Sequence, residues 1–219
     1  MENKSTNQPD RPDVERTPAF NMMQAVKRRF FAMRNGDLAA QMSAGGVNYK
    51  INFGLNLPQI REIATMTLDG SLPDYPQKLT DDERRDLAAM LWNNGTTRES
   101  RLIAPMLMRA NEVTADEARL MLTQVATVEE ADILCHRLLR NHQQAMQTAL
   151  GVYNGADASP LQRYGALRLI MNLLQAPDAA LNLPEIKELA AKEAQCPDSM
   201  ATLLCRQIAD EVDWLTANT

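Results

Sequence analysis

Apolar residues recur at helical spacing along most of the chain, and short polar turns separate the apolar stretches. Helix starts are marked by Thr followed three positions later by Glu, because in such a capping box each side chain caps the backbone N–H of the other residue. Four pairs fit this pattern: Thr80 with Glu83, Thr96 with Glu99, Thr114 with Glu117, and Thr127 with Glu130. Their spacing predicts one helix and one short turn per interval.

Proline residues add three further helix starts, because proline at a first helical position gives up no intrahelical hydrogen bond. These are Pro58, Pro160 and Pro184. Together the signals predict about eleven helices. Every second start, at Thr80, Thr114, about Gln143 and Pro184, recurs at a period of roughly 30–40 residues, which is typical of HEAT-type repeats. We therefore predict an all-α fold, a HEAT-like α-solenoid of antiparallel helix pairs forming an armadillo-like superhelix, with a compact helical bundle as the alternative.

Composition supports helices and a single domain. Hydrophobic residues make up 45% of the chain but aromatic residues only 5%, a balance that favours packed helices over strands. Residues 1–19 are polar, contain three prolines and lack apolar periodicity, so we predict a disordered tail there. Residues 20–219 are predicted to form one HEAT-like helical repeat domain.

Several classes of protein are disfavoured by the same composition. No segment is apolar enough to cross a membrane and the N-terminus lacks a secretory pattern, so we expect a cytoplasmic protein without a membrane partner. The three cysteines lack metal-ligand spacing, and no phosphate-binding glycine loop is present, so neither a metal nor a cofactor is expected. The net charge of −5 does not favour nucleic-acid binding, although a solenoid can still concentrate basic residues on its concave side.

Two places on the predicted helices stand out chemically. Glu129, Asp132, His136 and Arg140 follow one another at three- and four-residue intervals and so share one helix face, although acids before bases also match the helix dipole. Arg163 lies near a helix start in an otherwise apolar row. A cation there opposes the dipole and needs a carboxylate, a phosphate or water, so either a structural salt bridge or a binding site would explain it.

Three segments together resemble HEAT-like DNA alkylation repair proteins of the AlkD type. The first is Tyr49-Lys50-Ile51-Asn52-Phe53-Gly54, leading into Pro58, Ile60 and Arg61. The second is Leu91-Trp92 with Arg98-Glu99 and Leu102-Ala104, and the third is Leu161-Gln162-Arg163 with Ala166 and Leu167. The resemblance extends from about residue 36 to residue 214.

This resemblance implies a DNA glycosylase, a hydrolase that excises cationic N-alkylated purines from duplex DNA through a concave groove. It implies that Asp132 stabilises the sugar cation and positions water, and that Arg163 holds a backbone phosphate. Phosphate contacts are expected from further basic residues: Lys50, Arg61, Arg98, Arg101, Arg137, Arg140 and, more loosely, Arg206. Val128 and Leu203 stand where active members of the family carry tryptophans that meet the cationic base.

Two functional hypotheses therefore remain at the level of the sequence. The first is a DNA repair protein that excises or binds alkylated purines. The second is a non-catalytic HEAT-repeat scaffold whose concave face binds a protein or peptide, which the acidic balance and the absent tryptophan pair favour.

Overall fold

The computed structural model describes residues 17–176 and 181–218, so residues 1–16 of the predicted disordered tail lie outside the described part of the chain. Eleven α-helices follow one another in the described residues: α1 (Pro18–Ala32), α2 (Gly36–Ala44), α3 (Leu57–Asp69), α4 (Asp81–Asn93), α5 (Arg98–Leu107), α6 (Ala115–Thr123), α7 (Val128–Arg137), α8 (Ala145–Tyr153), α9 (Pro160–Leu174), α10 (Leu183–Ala194) and α11 (Thr202–Ala217). Short 3₁₀ turns cover Ala110–Glu112 and Leu139–Asn141. The predicted all-α fold is confirmed.

The helices stack in two layers. The helices α3, α5, α7, α9 and α11 pack side by side in one layer, each against the next. The helices α1, α4, α6, α8 and α10 cover them, and three consecutive pairs, α4/α5, α8/α9 and α10/α11, have the most extensive packing. This packing is consistent with the stack of helical hairpins predicted from the spacing of the helix starts. We call the layer formed by α3, α5, α7, α9 and α11 the odd-helix layer. It positions the candidate site.

The predicted helix starts are largely confirmed, but two of the four Thr/Glu pairs behave differently. Complete capping boxes form at Thr80 and Thr114, as predicted. Thr127 caps α7, whereas the Glu130 side chain turns away to other partners. The capping box predicted at Thr96/Glu99 is wrong. The residue that precedes α5 is Thr97, and its side chain makes no capping hydrogen bond. Two boxes with a Gln partner were missed, at Asn56/Gln59 and Ser159/Gln162.

The core lies between the two layers and runs the length of the stack. Its fully buried members include Phe30 from α1, Ile60 and Ile63 from α3, Leu87 and Leu91 from α4, and Leu167 and Ile170 from α9. Trp92 and Met121 are also buried, and Met106 is partly buried. In the described residues no helix is both long and apolar enough to span a bilayer.

The loop between α2 and α3 crosses the N-terminal ends of α5 and α7. Ile51 forms an isolated parallel bridge with Thr97, and the backbone N–H of Arg98 donates to the carbonyl of Ile51 at 3.1 Å. Gly54 adopts φ +70°, and a Cβ atom there would approach the Asn35 carbonyl oxygen to 2.1 Å. The close approach explains the glycine of this segment. The loop thereby ties the first helices to the middle of the odd-helix layer.

Candidate functional site

A buried ion-pair network joins the loop to the start of α5 and α7. It consists of Arg98, Glu99, Arg101, Glu129 and Glu130. Arg98 is 1% exposed and donates to Glu129 at 2.6 and 2.8 Å, to Glu99 at 3.1 Å and to the Leu55 carbonyl at 2.9 Å. The Glu99 carboxylate also accepts the backbone N–H groups of Phe53 and Leu55. These contacts satisfy the guanidinium and the carboxylate within the protein.

Arg101 is held in the same network. It donates to both oxygens of Glu130, at 3.0 and 3.1 Å, and to the carbonyls of Trp92 and Gln124. Its guanidinium carbon lies 3.5 Å from the centroid of the Trp92 ring. Glu130 is further bonded by the hydroxyl of Tyr49, whose pKa is raised by burial and by the charge of Glu130.

The phosphate contacts predicted at Arg98 and Arg101 are therefore corrected. Both side chains are buried, at 1% and 6% exposure, and their N–H groups are directed at protein acceptors. The segments quoted around Tyr49 and Arg98 are thus structural, since they join the loop to two helices. Sequence pattern could not reveal this, because the acidic partner at 129 or 130 lies about thirty residues away.

Arg163, at the start of α9, is also held by carboxylates. Its Nε donates to Glu193 at 3.0 Å, one terminal nitrogen donates to Asp198 at 2.8 Å, and the other donates to the Ala158 carbonyl at 2.9 Å. The salt-bridge explanation of this arginine is therefore the one found in the structure. A phosphate role for Arg163 stays a prediction and would require these contacts to be exchanged.

Asp132 lies on α7 at the edge of a groove of about 610 Å³. The groove is lined by residues from the loop and from the N-terminal parts of four odd-layer segments: Gly45, Gly46, Val47, Leu57, Ala126, Thr127, Val128, Glu129, Ile133, Leu161 and Met200, together with Asp132. Asp132 and Arg163 share no hydrogen bond or ion pair in the described residues.

The side chains that contact Asp132 come from α9 instead. The hydroxyl of Tyr164 donates to Oδ1 at 2.8 Å, and Nε of Arg168 lies 2.7 Å from the same oxygen. Arg168 in turn donates to the Tyr164 hydroxyl at 2.9 Å, so each of the three side chains contacts the other two, through two hydrogen bonds and one ion pair. We call these residues the Asp132 triad. Sequence reasoning missed Tyr164 and Arg168, although their spacing of four residues on an apolar helix places them on one face.

A basic cluster lies at the other end of α7. It consists of Arg61 on α3, His136 and Arg137 at the end of α7, and Arg140 in the 3₁₀ turn that follows. A terminal nitrogen of Arg140 lies 3.4 Å from Nδ1 of His136. Burial lowers the pKa of Arg137, and the charges of Arg61 and Arg140 lower it further. Among residues 17–176 and 181–218, no carboxylate forms an ion pair with Arg61, Arg137 or Arg140.

The cluster and Asp132 lie on neighbouring turns. Asp132 and His136 are one turn apart on α7, so their side chains share one face. Beside the cluster, a recess of about 350 Å³ lies between Arg61 and Arg137 and is floored by Thr65, Pro105 and Met106, among others. Lys50 and Arg206, the remaining predicted contacts, are exposed. The odd-helix layer thus presents a carboxylate beside a concentration of positive charge, despite the net charge of −5.

Comparison with known proteins decides the family. A family model described as DNA alkylation repair enzyme matches residues 26–195. The chain belongs to this family. No curated protein and no solved structure matched the chain in the corresponding comparisons. The matched range covers α2 to α10 in full, and therefore includes the basic cluster and the Asp132 triad of this DNA alkylation repair protein.

Proposed function

We propose that this chain is a DNA glycosylase that binds alkylated duplex DNA across the odd-helix layer and excises cationic N-alkylated purines beside Asp132. The proposal rests on one observation above all: a carboxylate that lines a groove lies one helical turn from a basic cluster, and no carboxylate in the described part of the chain forms an ion pair with the arginines of that cluster. A repair protein of this kind needs both, positive charge for the phosphates and negative charge for the lesion.

The binding step falls to the basic cluster. Its guanidinium groups bind no carboxylate in the described residues and repel one another in the absence of a ligand, so an anion between them gains attraction from each. A phosphate of the DNA backbone supplies that anion. The contacts would fix the register of the duplex on the protein without reading sequence. Lys50 and Arg206 stay predictions for more distant phosphates.

The chemical step needs little acid–base help. An N3- or N7-alkylated purine already carries a positive charge, so breaking the bond from its N9 to C1′ of the sugar releases a neutral base. The sugar is left as an oxocarbenium cation, which water attacks at C1′ to give an abasic site and a free proton. The negative charge of Asp132 would stabilise the cation and orient the water.

The apolar side chains that line the groove are aliphatic or methionine. Val128 lines it and Leu203 is 68% exposed at the start of α11, where the resemblance led us to expect tryptophans. No aromatic side chain lies among the described residues that line the groove. Recognition of the cationic base would therefore depend on the charge of Asp132 rather than on cation–π contacts, each worth about 0.5–2 kcal/mol.

The test is release of methylated purines from methylated duplex DNA by the wild-type protein and by Asp132→Asn. We expect the wild type to release them and the variant to be slower by about 100-fold or more, because it keeps the shape and loses the charge. Asp86→Asn is the matched control, since Asp86 is exposed on α4 in the opposite layer. Equal release by wild type and Asp132→Asn would remove Asp132 from the mechanism.

A binding titration separates this proposal from the scaffold hypothesis. DNA binding through several phosphates must weaken steeply as salt rises, whereas absence of DNA binding even at low salt would favour a peptide or protein ligand. The measurement is an equilibrium gel-shift or anisotropy titration with an intact and a methylated duplex. Binding of both duplexes without release of base would identify a lesion-binding protein rather than a glycosylase.

A further inference from the structure

We infer that Tyr164 and Arg168 are positioning residues that fix the Asp132 carboxylate so that its Oδ2 atom faces the lesion. This inference rests on the proposed excision activity and deepens it. Both contacts go to one oxygen, since the Tyr164 hydroxyl lies 2.8 Å and the Arg168 Nε 2.7 Å from Oδ1. In the described residues Oδ2 has no hydrogen-bond partner, so it is the atom left for a sugar cation or an attacking water.

The supporting pair is itself held in place. Tyr164 is 6% exposed and is packed into the core, so its ring cannot turn freely. Burial raises the pKa of the Tyr164 hydroxyl, and Asp132 adds to the effect, so the group stays protonated and donates near neutral pH. The guanidinium of Arg168 donates to that hydroxyl at 2.9 Å and lies 5.6 Å from the centre of the ring. A carboxylate with two rigid partners on one oxygen has a defined rotamer.

Arg168 acts through Asp132 rather than on DNA. Its side chain is 27% exposed and two of its nitrogens are engaged inside the triad. The arginines of the basic cluster, by contrast, form no ion pair with a carboxylate in the described residues. Loss of Arg168 or Tyr164 should therefore slow the chemical step and leave DNA affinity almost unchanged. That separation distinguishes a positioning residue from a phosphate contact.

Single-turnover kinetics on methylated duplex DNA provide the first test, with Tyr164→Phe and Arg168→Lys as conservative variants. We expect each to lower the rate of base release by about 10- to 100-fold, because each loses a hydrogen bond or ion pair to a charged group. The DNA concentration at half-saturation should stay within about twofold of the wild type. Tyr153→Phe is the matched control, because Tyr153 is equally buried and donates to another carboxylate, that of Glu193.

A double-mutant cycle separates positioning from general damage to the fold. In an Asp132→Asn background, Tyr164→Phe should cause little further loss, since the hydroxyl acts only through the missing carboxylate. A full additional loss would overturn the inference, as would wild-type rates in Tyr164→Phe and Arg168→Lys alongside an inactive Asp132→Asn. In that last case the proposed excision activity would stand while the positioning role would fall.

Crystal structures supply a readout that needs no activity. The wild type should show Asp132 in one rotamer, with Oδ1 bound to Tyr164 and Arg168, and Tyr164→Phe should show the carboxylate in more than one rotamer. A wild-type carboxylate that points away from both partners would overturn the inference. A protein with the triad intact but without base release would instead contradict the proposed excision.

Discussion

The arginines at the two ends of α7 have opposite environments. At the N-terminal end, Arg98 and Arg101 are buried and bound to Glu99, Glu129 and Glu130. At the C-terminal end, Arg137 and Arg140 lie beside Arg61 without a carboxylate partner in the described residues, and His136 is among them. Sequence composition counts all these arginines alike. Only the first group is used to hold the fold together.

The difference follows from what each end must do. The loop that carries Ile51, Phe53 and Leu55 has no regular structure of its own, and its backbone groups need buried partners. Charged side chains supply them, and their charges cancel within the network. In the basic cluster the charges do not cancel, and the neighbouring positive charges destabilise one another. Such repulsion is compensated when an anion binds, which is why we propose that this end of α7 binds a DNA phosphate.

The largest expected effect concerns stability. Glu99→Gln should lower the free energy of unfolding by about 3–5 kcal/mol, because it leaves the fully buried Arg98 with one carboxylate fewer and the loop amides with weaker acceptors. Urea denaturation followed by circular dichroism measures the change.

An exposed ion pair serves as its control. Asp213→Asn breaks the ion pair between Asp213 and Lys187. Both side chains are about half exposed, so the variant should leave the urea midpoint unchanged. If the two variants lost the same stability, the buried network would not be what secures the loop.

A second prediction tests the other end of α7. Replacing Arg61, Arg137 and Arg140 together by Gln should leave stability unchanged or slightly higher, because mutual repulsion is removed. DNA affinity should fall, and the slope of log K against log salt should become less steep by about 3, at roughly 0.9 per lost phosphate contact. Fluorescence anisotropy at several salt concentrations measures the slope.

The same charge removed elsewhere provides the comparison. Lys78 in the loop before α4, Arg85 on α4 and Arg119 on α6 are exposed and lie away from the odd-helix layer. The triple Gln variant at these positions should retain the wild-type slope. A loss of equal size in both variants would mean that total charge, and not the cluster, governs DNA binding.

The fold was predictable because its signals are local. A capping box or an N-terminal proline involves residues three or four positions apart, so Thr80, Thr114 and Pro160 mark helices whatever surrounds them. Glu99 shows the limit of such signals. Its carboxylate can cap a nearby N–H or bind distant ones, and here the amides of Phe53 and Leu55 take it. Only tertiary packing decides between these outcomes.

The site was predictable only in part, for the same reason. Asp132 was singled out by the resemblance to the repair family, on a helix face that it shares with His136, and its role stays a prediction. The pairing of Arg163 with Glu193 and Asp198 depends on how α9 packs against the last helices, about thirty residues further along. Arg168 was overlooked because Arg163 also breaks the apolar pattern of α9, and sequence pattern does not tell which of them reaches Asp132.

The smallest expected effect is a pH dependence located at the basic cluster. Burial lowers the pKa of His136 in the free protein, and the charges of Arg140, Arg137 and Arg61 lower it further, so the imidazole is neutral near pH 7. A bound phosphate offsets that repulsion and favours the protonated form, so binding takes up a proton and affinity should rise as pH falls below about 6.5. The gain in affinity should not exceed about tenfold per unit of difference in the pKa of His136 between free and bound protein.

His136→Gln should lose this pH dependence, whereas His142→Gln should keep it, because His142 is engaged with the Val113 carbonyl at 3.0 Å outside the cluster. Dissociation constants measured between pH 5.5 and 7.5 at fixed salt compare the two, and a pH dependence that survives in His136→Gln would place the phosphate away from this end of α7.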